Sequence, residues 1–368
     1  MQKSKHILVL VLVLSLGVIL VACGSSGTNK SNNDKSDEAG GDDKSKDYSV
    51  ALVTDEGGVD DKSFNQSAWE GLQAWGKEQG LSKGKGFDYA QSDNESDYLP
   101  NLTRLTKDGY DLIFGVGFLL QDSVSKVAKQ NPDTNYAIVD TVVEAPNVAS
   151  ITFAEHEGSF LAGVAAAMKT KTDKLGFVGG VDSELINKFE VGFVAGAKSV
   201  NPNINIDIQY VGNFSSAADG KLIATRMYKD GADIIYHAAG AAGNGVFAQA
   251  KDLKKNAPER EIWVIGVDRD QHDEGKIGEH NVALTSMVKR VDLSVQEVSK
   301  LGIEGDFPGG KILEFGLEDD GVFLASTNED AYPEEIKVKV EEWKEKIVNG
   351  DIEVPKTRDE LKKFEESL

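Results

Sequence analysis

Short runs rich in Val, Ile and Phe alternate with amphipathic segments along most of the chain after residue 47. Short apolar runs bounded by turn residues are typical of buried strands, and helical segments between them are typical of crossovers between parallel strands. The alternation therefore predicts an α/β protein with parallel sheets covered by helices. The predicted strands are 48–54, 112–116, 136–140, 150–153, 174–179, 204–210, 234–237, 262–267 and 284–287.

These strands are too numerous for one small sheet, and the length of the chain after residue 46 is typical of two domains. A change of domain is expected near 150–157, where a strand enters a helix of small residues without a usual loop. The predicted helices are 63–80, 123–130, 157–169, 188–200, 220–230, 245–253, 288–302 and 333–349.

The first residues have the pattern of a secretory signal. Lys3 and Lys5 precede a run over 7–22 that is apolar except for Ser15. This arrangement corresponds to the charged and apolar regions of such a signal. A membrane-spanning helix needs about 20 apolar residues, more than this run provides. The sequence therefore predicts an exported protein with its signal peptide at 1–22.

The apolar run ends in LVACG at 20–24, which resembles the lipobox of bacterial lipoproteins. Cys23 is the only cysteine, so no intramolecular disulfide can form, and at this position it has no core to join. We predict lipidation of Cys23 by a diacylglyceryl group and a further acyl chain, which together hold a protein stably at a membrane. The polar segment that follows, up to residue 46, predicts a disordered tether at 23–46 on the extracytoplasmic face.

Composition argues against several functions. The chain has 40 Lys and Arg against 61 Asp and Glu and no basic stripe, so nucleic acid is not expected as a partner. Its five histidines lack zinc-ligand spacing, and the glycine-rich turns at 115–120 and 240–245 lack the dinucleotide fingerprint. No Walker A motif is present. We therefore expect no catalytic residues, no metal and no cofactor.

The turn after the first predicted strand, residues 55–66, is rich in polar side chains. Ser63 and Gln66 have the spacing of a capping box at the start of the next helix. The carboxylates of the turn lack the spacing of an EF-hand. Phe64 and Asn65 lie near the carboxyl end of the first predicted strand. Phe64 is either a core residue or a ligand contact.

Two carboxylates and one lysine also stand at predicted strand ends: Asp140, Asp268 and Lys289. In open α/β sheets ligands bind outside the carboxyl ends of the strands. The carboxylates could accept hydrogen bonds from a ligand N–H or a sugar diol, and the lysine could donate to the same hydroxyls. The alternative is that each Asp stabilises the following turn and that Lys289 is solvated.

Four motifs together resemble the basic membrane protein family of ABC-transporter substrate-binding lipoproteins, in particular its purine-nucleoside-binding, PnrA-like branch. They are DDKSFNQ at 60–66, FEVGFVAG at 189–196, HAAG at 237–240 and GVD at 266–268. The resemblance runs from residue 48 to the C-terminus. It implies a type I periplasmic-binding-protein fold, with two doubly wound parallel-sheet lobes, three crossover strands and a cleft between them. The implied lobes are 47–153 plus 289–315 (N-terminal) and 154–288 plus 316–368 (C-terminal).

The resemblance also implies how the ligand is held. Phe64 and Phe214 would lie on opposite faces of a base, Asn65 and Asp140 would contact its edge, and Asp268 and Lys289 would hold the ribose. Phe193 is a competing aromatic residue, but its place in a helix favours core packing. The ligand-binding residues expected are Asp55, Asp61, Phe64, Asn65, Phe118, Asp140, Phe214, Gly240, Gly243, Asp268 and Lys289.

The implied function is capture of a purine nucleoside (inosine, guanosine or adenosine) by a monomer that delivers it to an ABC permease and its ATPase. The predicted contact residues do not show which of the three bases is preferred. Other functions stay open: a binding protein for a sugar or an autoinducer on the same fold, a Rossmann-like enzyme, or a surface antigen or adhesin.

Overall fold

The structure is a computed structural model that describes residues 48–368. The predicted signal peptide, Cys23 and the predicted tether lie outside the described residues. Within 48–368 the chain forms two six-stranded sheets with helices on their faces, which confirms the α/β prediction. None of the helices in this range is both long enough and apolar enough to span a bilayer.

The first sheet has the strand order β13-β5-β4-β3-β1-β2, and every neighbouring pair is parallel. The central strands are fully buried, because helices cover both faces of the sheet. Numbered along the chain, the strands are β1 (Val50–Val53), β2 (Phe87–Ala90), β3 (Leu112–Val116), β4 (Asn135–Val139), β5 (Val148–Phe153) and β13 (Ile312–Phe315).

The second sheet has the order β14-β12-β9-β8-β6-β7. Its pairs are parallel except for the edge pair of β12 and β14, which is antiparallel. A two-stranded hairpin precedes β12. The strands are β6 (Lys174–Gly179), β7 (Asn205–Tyr210), β8 (Ile234–Ala238), β9 (Trp263–Asp268), β10 (Lys276–Ile277), β11 (His280–Asn281), β12 (Ala283–Lys289) and β14 (Val322–Leu324).

Ten α-helices lie within the described residues. They are α1 (Phe64–Glu78), α2 (Tyr98–Asp108), α3 (Gln121–Gln130), α4 (Glu155–Lys169), α5 (Glu184–Val200), α6 (Ala217–Lys229), α7 (Gly243–Asn256), α8 (Val291–Glu304), α9 (Glu334–Val348) and α10 (Arg358–Glu365).

The chain passes from one sheet to the other three times, after β5, after β12 and between β13 and β14. We call the first sheet with its helices the first lobe and the second sheet with its helices the second lobe. Helix α8 follows β12 but packs on α1, and so returns the chain to the first lobe. The strands next to the crossings are neighbours in their sheets: β5 pairs with β13 in the first lobe and β12 with β14 in the second.

Glycine residues bring the helices α4 and α5 of the second lobe together. A Cβ atom added to Gly163 would clash with the backbone oxygen of Phe193, and one added to Gly196 would clash with that of Phe160. The side chain of Phe193 lies in the core against Phe177 and Tyr236, so its predicted packing role is confirmed. The close contact fixes α5, whose first turns reach the cleft.

The structure differs from the predicted elements in several places. Strands β2, β13 and β14 and helices α2 and α10 were not predicted, because these strands have only three or four residues and the two helices bury few side chains. Strand β12 continues to Lys289, so this lysine is the last residue of a buried strand and not a turn residue after it. Helix α8 accordingly begins at Val291, later than predicted.

Candidate functional site

A cavity lies between the lobes, at the carboxyl ends of strands from both sheets. It contains about 500 Å³ of space not filled by protein atoms, counting its opening to solvent. This is the place where open α/β sheets bind ligands. Of the eleven residues predicted from the sequence, ten line it: Asp55, Asp61, Phe64, Asn65, Phe118, Asp140, Phe214, Gly240, Asp268 and Lys289.

Gly243, the eleventh of the predicted residues, does not line the cavity. It is the first residue of α7 and is buried. A Cβ atom at this position would clash with the ring of His237, so glycine is needed there for helix packing. Gly240 and Ala241, just before it, do reach the cavity.

Aromatic side chains from both lobes form the cavity walls. Phe64 is the first residue of α1, and Phe118 follows β3; both belong to the first lobe. Phe214 follows β7 in the second lobe, and its ring meets that of Phe118 edge to face, with centroids 6.1 Å apart and planes at 82°. These rings give the cavity an apolar surface suited to a flat ligand.

The carboxylate of Asp61 organises the start of α1. It accepts backbone N–H hydrogen bonds from Ser63 (2.8 Å), Asn65 (2.9 Å) and Gln66 (3.0 Å). The predicted capping box of Ser63 and Gln66 is wrong, because the Ser63 side chain makes no capping hydrogen bond. Its hydroxyl instead donates across the cleft to Asp268 of the second lobe, at 2.5 Å. Asp61 takes over the cap and frees Ser63 for this contact between the lobes.

The side-chain amide of Asn65 is held in one orientation. Its Nδ2 donates to Asp55 Oδ1 (2.6 Å) and to Asp61 Oδ2 (3.1 Å), so the nitrogen must face the two carboxylates. Its Oδ1 is buried and has no hydrogen-bond partner among the described residues. Asp140 Oδ1 is likewise buried without a hydrogen-bond partner among the described residues. Buried polar atoms are normally satisfied, so both oxygens are available to accept hydrogen bonds from a ligand.

Lys289 joins the carboxylates of the two lobes. Its Nζ lies 2.6 Å from Asp140 Oδ2 and 3.8 Å from Asp268 Oδ1. It also lies 4.7 Å from the ring centroid of Phe64. Burial alone would lower the pKa of Lys289, but the carboxylates of Asp140, Asp268 and Glu155 raise it overall. The lysine therefore remains a cation inside the cavity.

The carboxylates of the cavity outnumber this single cation. Burial raises the pKa of Asp55 to about 7 and that of Asp61 in the same direction. Burial also raises the pKa of Asp268 to about 6, although Lys289 and Ser63 lower it in part. Among residues 48–368, no three His, Cys, Asp or Glu side chains are grouped to hold a metal ion. Hydrogen-bond donors of a ligand would match this excess of acceptors.

Relative to Asp55→Asn, the ligand-free protein is expected to lose about 1 kcal/mol of unfolding free energy as pH rises from about 6.5 to 8. The folded pKa of Asp55, about 7, lies above its unfolded value, so its stabilising contribution is lost as pH rises through that range. Denaturant unfolding at both pH values measures the change. The comparison isolates Asp55, because the buried His156 and His237, whose pKa values burial lowers, contribute an opposite change with pH in both proteins. A stability difference between the two proteins that does not change with pH would contradict the assignment.

Sequence reasoning missed three cavity residues on α5: Leu185, Ile186 and Phe189. Phe189 stands one helical turn before Phe193 in the same motif, but only the packing of α5 shows which ring reaches the cleft. Glu56 was also missed. Its carboxylate accepts the backbone N–H of Phe214 across the cleft, at 2.7 Å. Its place in the acidic turn beside Asp55 was the only local signal.

Comparison with known proteins places the chain in a family. Residues 48–358 match the family described as ABC transporter substrate-binding protein, PnrA-like. The ABC transporter nucleoside-binding protein BmpA of Lactococcus lactis subsp. cremoris is 46% identical over 362 residues, covering 96% of this chain and 99% of that protein. The CD4+ T-cell-stimulating antigen of Listeria innocua is 51% identical with the same coverage.

Solved structures agree with this assignment. An ABC transporter solute-binding protein from Aeropyrum pernix K1 superposes with a TM-score of 0.73 at 28% identity, covering 86% of this chain and 98% of that one. The two-sheet architecture is therefore the type I periplasmic-binding-protein fold. The family consists of substrate-binding proteins of ABC transporters and not of enzymes. Its motifs, its match over 48–358 and its fold show that this chain belongs to the PnrA-like family of ABC transporter substrate-binding proteins.

Proposed function

We propose that this protein captures a purine nucleoside outside the cell membrane and delivers it to an ABC permease. The observation that carries the proposal is the cavity with aromatic residues from both lobes, Phe64 and Phe214, and with unsatisfied acceptors beside them. Stacking between a base and an aromatic side chain contributes about 1 to 3 kcal/mol. The nucleoside-binding relative from Lactococcus lactis supports the same ligand class.

In this proposal the base lies between Phe64 and Phe214. Asn65 Oδ1 and Asp140 Oδ1 accept hydrogen bonds from N–H groups on its edge. Both atoms are buried without a partner, so leaving them unpaired would cost about 1 to 3 kcal/mol each. Asp268 accepts from the ribose hydroxyls and Lys289 donates to them.

The charges of the cavity favour a nucleoside over a nucleotide. Lys289 is the only lysine or arginine among the lining residues, and two carboxylates already neutralise it. A phosphate group would meet four carboxylates, Asp55, Asp61, Asp140 and Asp268, with no free cation. Phosphate sites in proteins normally gather Arg, Lys or free helix N-termini, whereas the N-terminus of α1 at this cavity is already capped by Asp61.

Delivery follows from the same architecture. A ligand that contacts both lobes favours the closed arrangement over the open one by its differential contacts. The closed, loaded protein then docks on the permease, and the ATPase subunits drive transport. A lipid on Cys23 would keep the protein, as a monomer, beside the permease on the extracytoplasmic face of the membrane, and a tether of about 20 residues would span roughly 25 Å.

Isothermal titration calorimetry of the purified protein tests the ligand class. We expect guanosine, inosine or adenosine to bind with dissociation constants at least about 100-fold below those of ribose and of the matching 5′-monophosphates. Mass spectrometry of small molecules that copurify gives an independent answer. Binding of a free pentose with no binding of any nucleoside would overturn the proposal.

A further inference from the structure

A bidentate ion pair joins the lobes outside the cavity. Arg269, the residue after Asp268, donates from Nε to Glu70 Oε2 (2.9 Å) and from Nη2 to Glu70 Oε1 (2.8 Å). Glu70 lies in α1 of the first lobe, whereas Arg269 follows β9 of the second lobe. The pair is only partly exposed, with side-chain exposures of 25% for Arg269 and 43% for Glu70. Such paired geometry is the stronger form of a charged hydrogen bond.

Gln271 makes a second crossing of the cleft. Its Nε2 donates to the backbone carbonyl of Lys62 in the first lobe, at 2.8 Å. Its Oε1 accepts the backbone N–H of Val267 (2.9 Å) and lies 3.0 Å from Nε2 of His237. Gln271 is 1% exposed, so its amide is fixed within the second lobe and its donor group is aimed at the first lobe.

Gln66 links the two crossings within the first lobe. Its Nε2 donates to Glu70 Oε1 (2.9 Å), and its Oε1 accepts the backbone N–H of Lys62 (3.2 Å). Lys62 has a φ of 64°, a left-handed conformation that side-chain-bearing residues seldom adopt. Its backbone N–H bonds to Gln66 and its backbone carbonyl bonds to Gln271, and these two hydrogen bonds hold it in that conformation. Arg269, Glu70, Gln66, Lys62 and Gln271 thus form one hydrogen-bonded chain that crosses the cleft twice.

No member of this chain lines the cavity, yet two of its members adjoin residues that do. Lys62 follows Asp61, and Arg269 follows Asp268. We propose that Arg269 and Gln271 are positioning residues that latch the closed cleft onto Glu70 and Lys62 and so set the dwell time of the ligand without touching it. This inference rests on the proposed function only for the choice of a nucleoside as the ligand.

The latch acts by differential contacts. In an open arrangement its donors and acceptors would be separated and hydrated, whereas in the closed arrangement they pair directly. Each contact made only in the closed state shifts the equilibrium towards that state and lowers the apparent dissociation constant. Because the ligand enters through the open state, the latch should slow dissociation far more than it changes association.

Stopped-flow kinetics of guanosine with the purified full-length protein test the latch. We expect Arg269→Ala and Glu70→Ala each to speed dissociation by about three- to tenfold and to change association by less than about twofold. The double variant should be no faster than either single variant, because both remove the same pair. The charge exchange of Arg269→Glu with Glu70→Arg should restore part of the slow dissociation.

Lys221→Ala is the matched control. Lys221 pairs with Asp252 at 2.7 Å, but both lie in helices of the second lobe, so the pair does not cross the cleft. This variant should leave both rate constants unchanged. High salt should speed dissociation from the wild type and have little effect on Arg269→Ala, because screening weakens the ion pair.

The inference and the proposed function fail in different ways. If wild-type protein binds no nucleoside, the proposed function is wrong, and the kinetics are measured with the small molecule that copurifies. If the wild type binds but dissociation from Arg269→Ala and Glu70→Ala is unchanged, the latch is wrong. Additive effects in the double variant, without rescue by the charge exchange, would also overturn it.

Discussion

Lys289→Met is expected to destabilise the folded protein by about 3 to 5 kcal/mol at pH 8, because it removes one partner of a buried ion cluster. Lys289 is 2% exposed and lies against Asp140 and Asp268, which are themselves buried. Glu155, the fully buried first residue of α4, also interacts with this charge. Without the lysine, these carboxylates face one another in a medium that solvates them poorly. Denaturant unfolding monitored by circular dichroism measures the loss.

The stability lost in Lys289→Met should be greater at high pH than at low pH. The lysine lowers the pKa of Asp268, which burial has raised to about 6, so its removal raises that pKa further. A group whose folded pKa is raised stabilises the folded state at low pH and loses that contribution as pH rises through the folded pKa. The destabilisation of Lys289→Met should therefore be largest above about pH 7 and shrink as pH falls towards 5.

Two variants make this prediction specific. Lys254→Met removes another buried lysine, but one that donates to the backbone carbonyl of Arg260 and not to a carboxylate, so it should cost much less. Adding Asp140→Asn to Lys289→Met should recover part of the stability, since it removes one of the unpaired charges. If Lys289→Met lost no more stability than Lys254→Met, and its loss did not change with pH, the ion pairs of Lys289 would contribute little to stability.

Phe64→Ala is expected to weaken guanosine binding by about 10- to 100-fold, from the loss of about 1 to 3 kcal/mol of base stacking. The ring lines the cavity and lies over Lys289, with its side chain buried between the lobes. Removing it leaves one face of the base against an enlarged cavity. Calorimetry with guanosine measures the affinity, and the melting temperature of the ligand-free variant reports on its fold.

Phe87→Ala separates binding from stability. Phe87 is buried to the same degree as Phe64, but it packs on Trp69 in the first lobe, away from the cavity. This variant should lower the melting temperature and leave the affinity unchanged. If Phe64→Ala binds guanosine as tightly as the wild type does, the aromatic wall does not hold the base and the proposed orientation of the ligand is wrong.

The sequence located most of the cavity because its residues stand at positions that a local pattern reveals. Asp140 and Asp268 each come at the end of an apolar run, and the carboxyl ends of parallel strands meet at one edge of a sheet. Phe64 and Asn65 belong to a polar turn that follows the first strand. The family motifs then assigned these positions to a ligand.

Other features could not be found in this way, because they depend on residues far apart in the chain. Ser63 has the local pattern of a helix cap, yet its hydroxyl bonds to Asp268, 205 positions later. Gly243 follows Gly240 in the same glycine-rich segment, but it packs against the His237 ring and does not line the cavity. Phe189 and Phe193 share a helix, and only the packing of α5 places one in the cavity and the other in the core.

By itself, the sequence determined the α/β class and the family, since hydrophobic periodicity and short motifs are local properties of a chain. Export and lipidation at Cys23 stay predictions from the sequence. Only the tertiary structure decided which side chains meet across the cleft: Lys289 with Asp140, Arg269 with Glu70 and Gln271 with Lys62. The physical reason is that these contacts join residues of different lobes, far apart in the chain, and no local pattern encodes the distance between them.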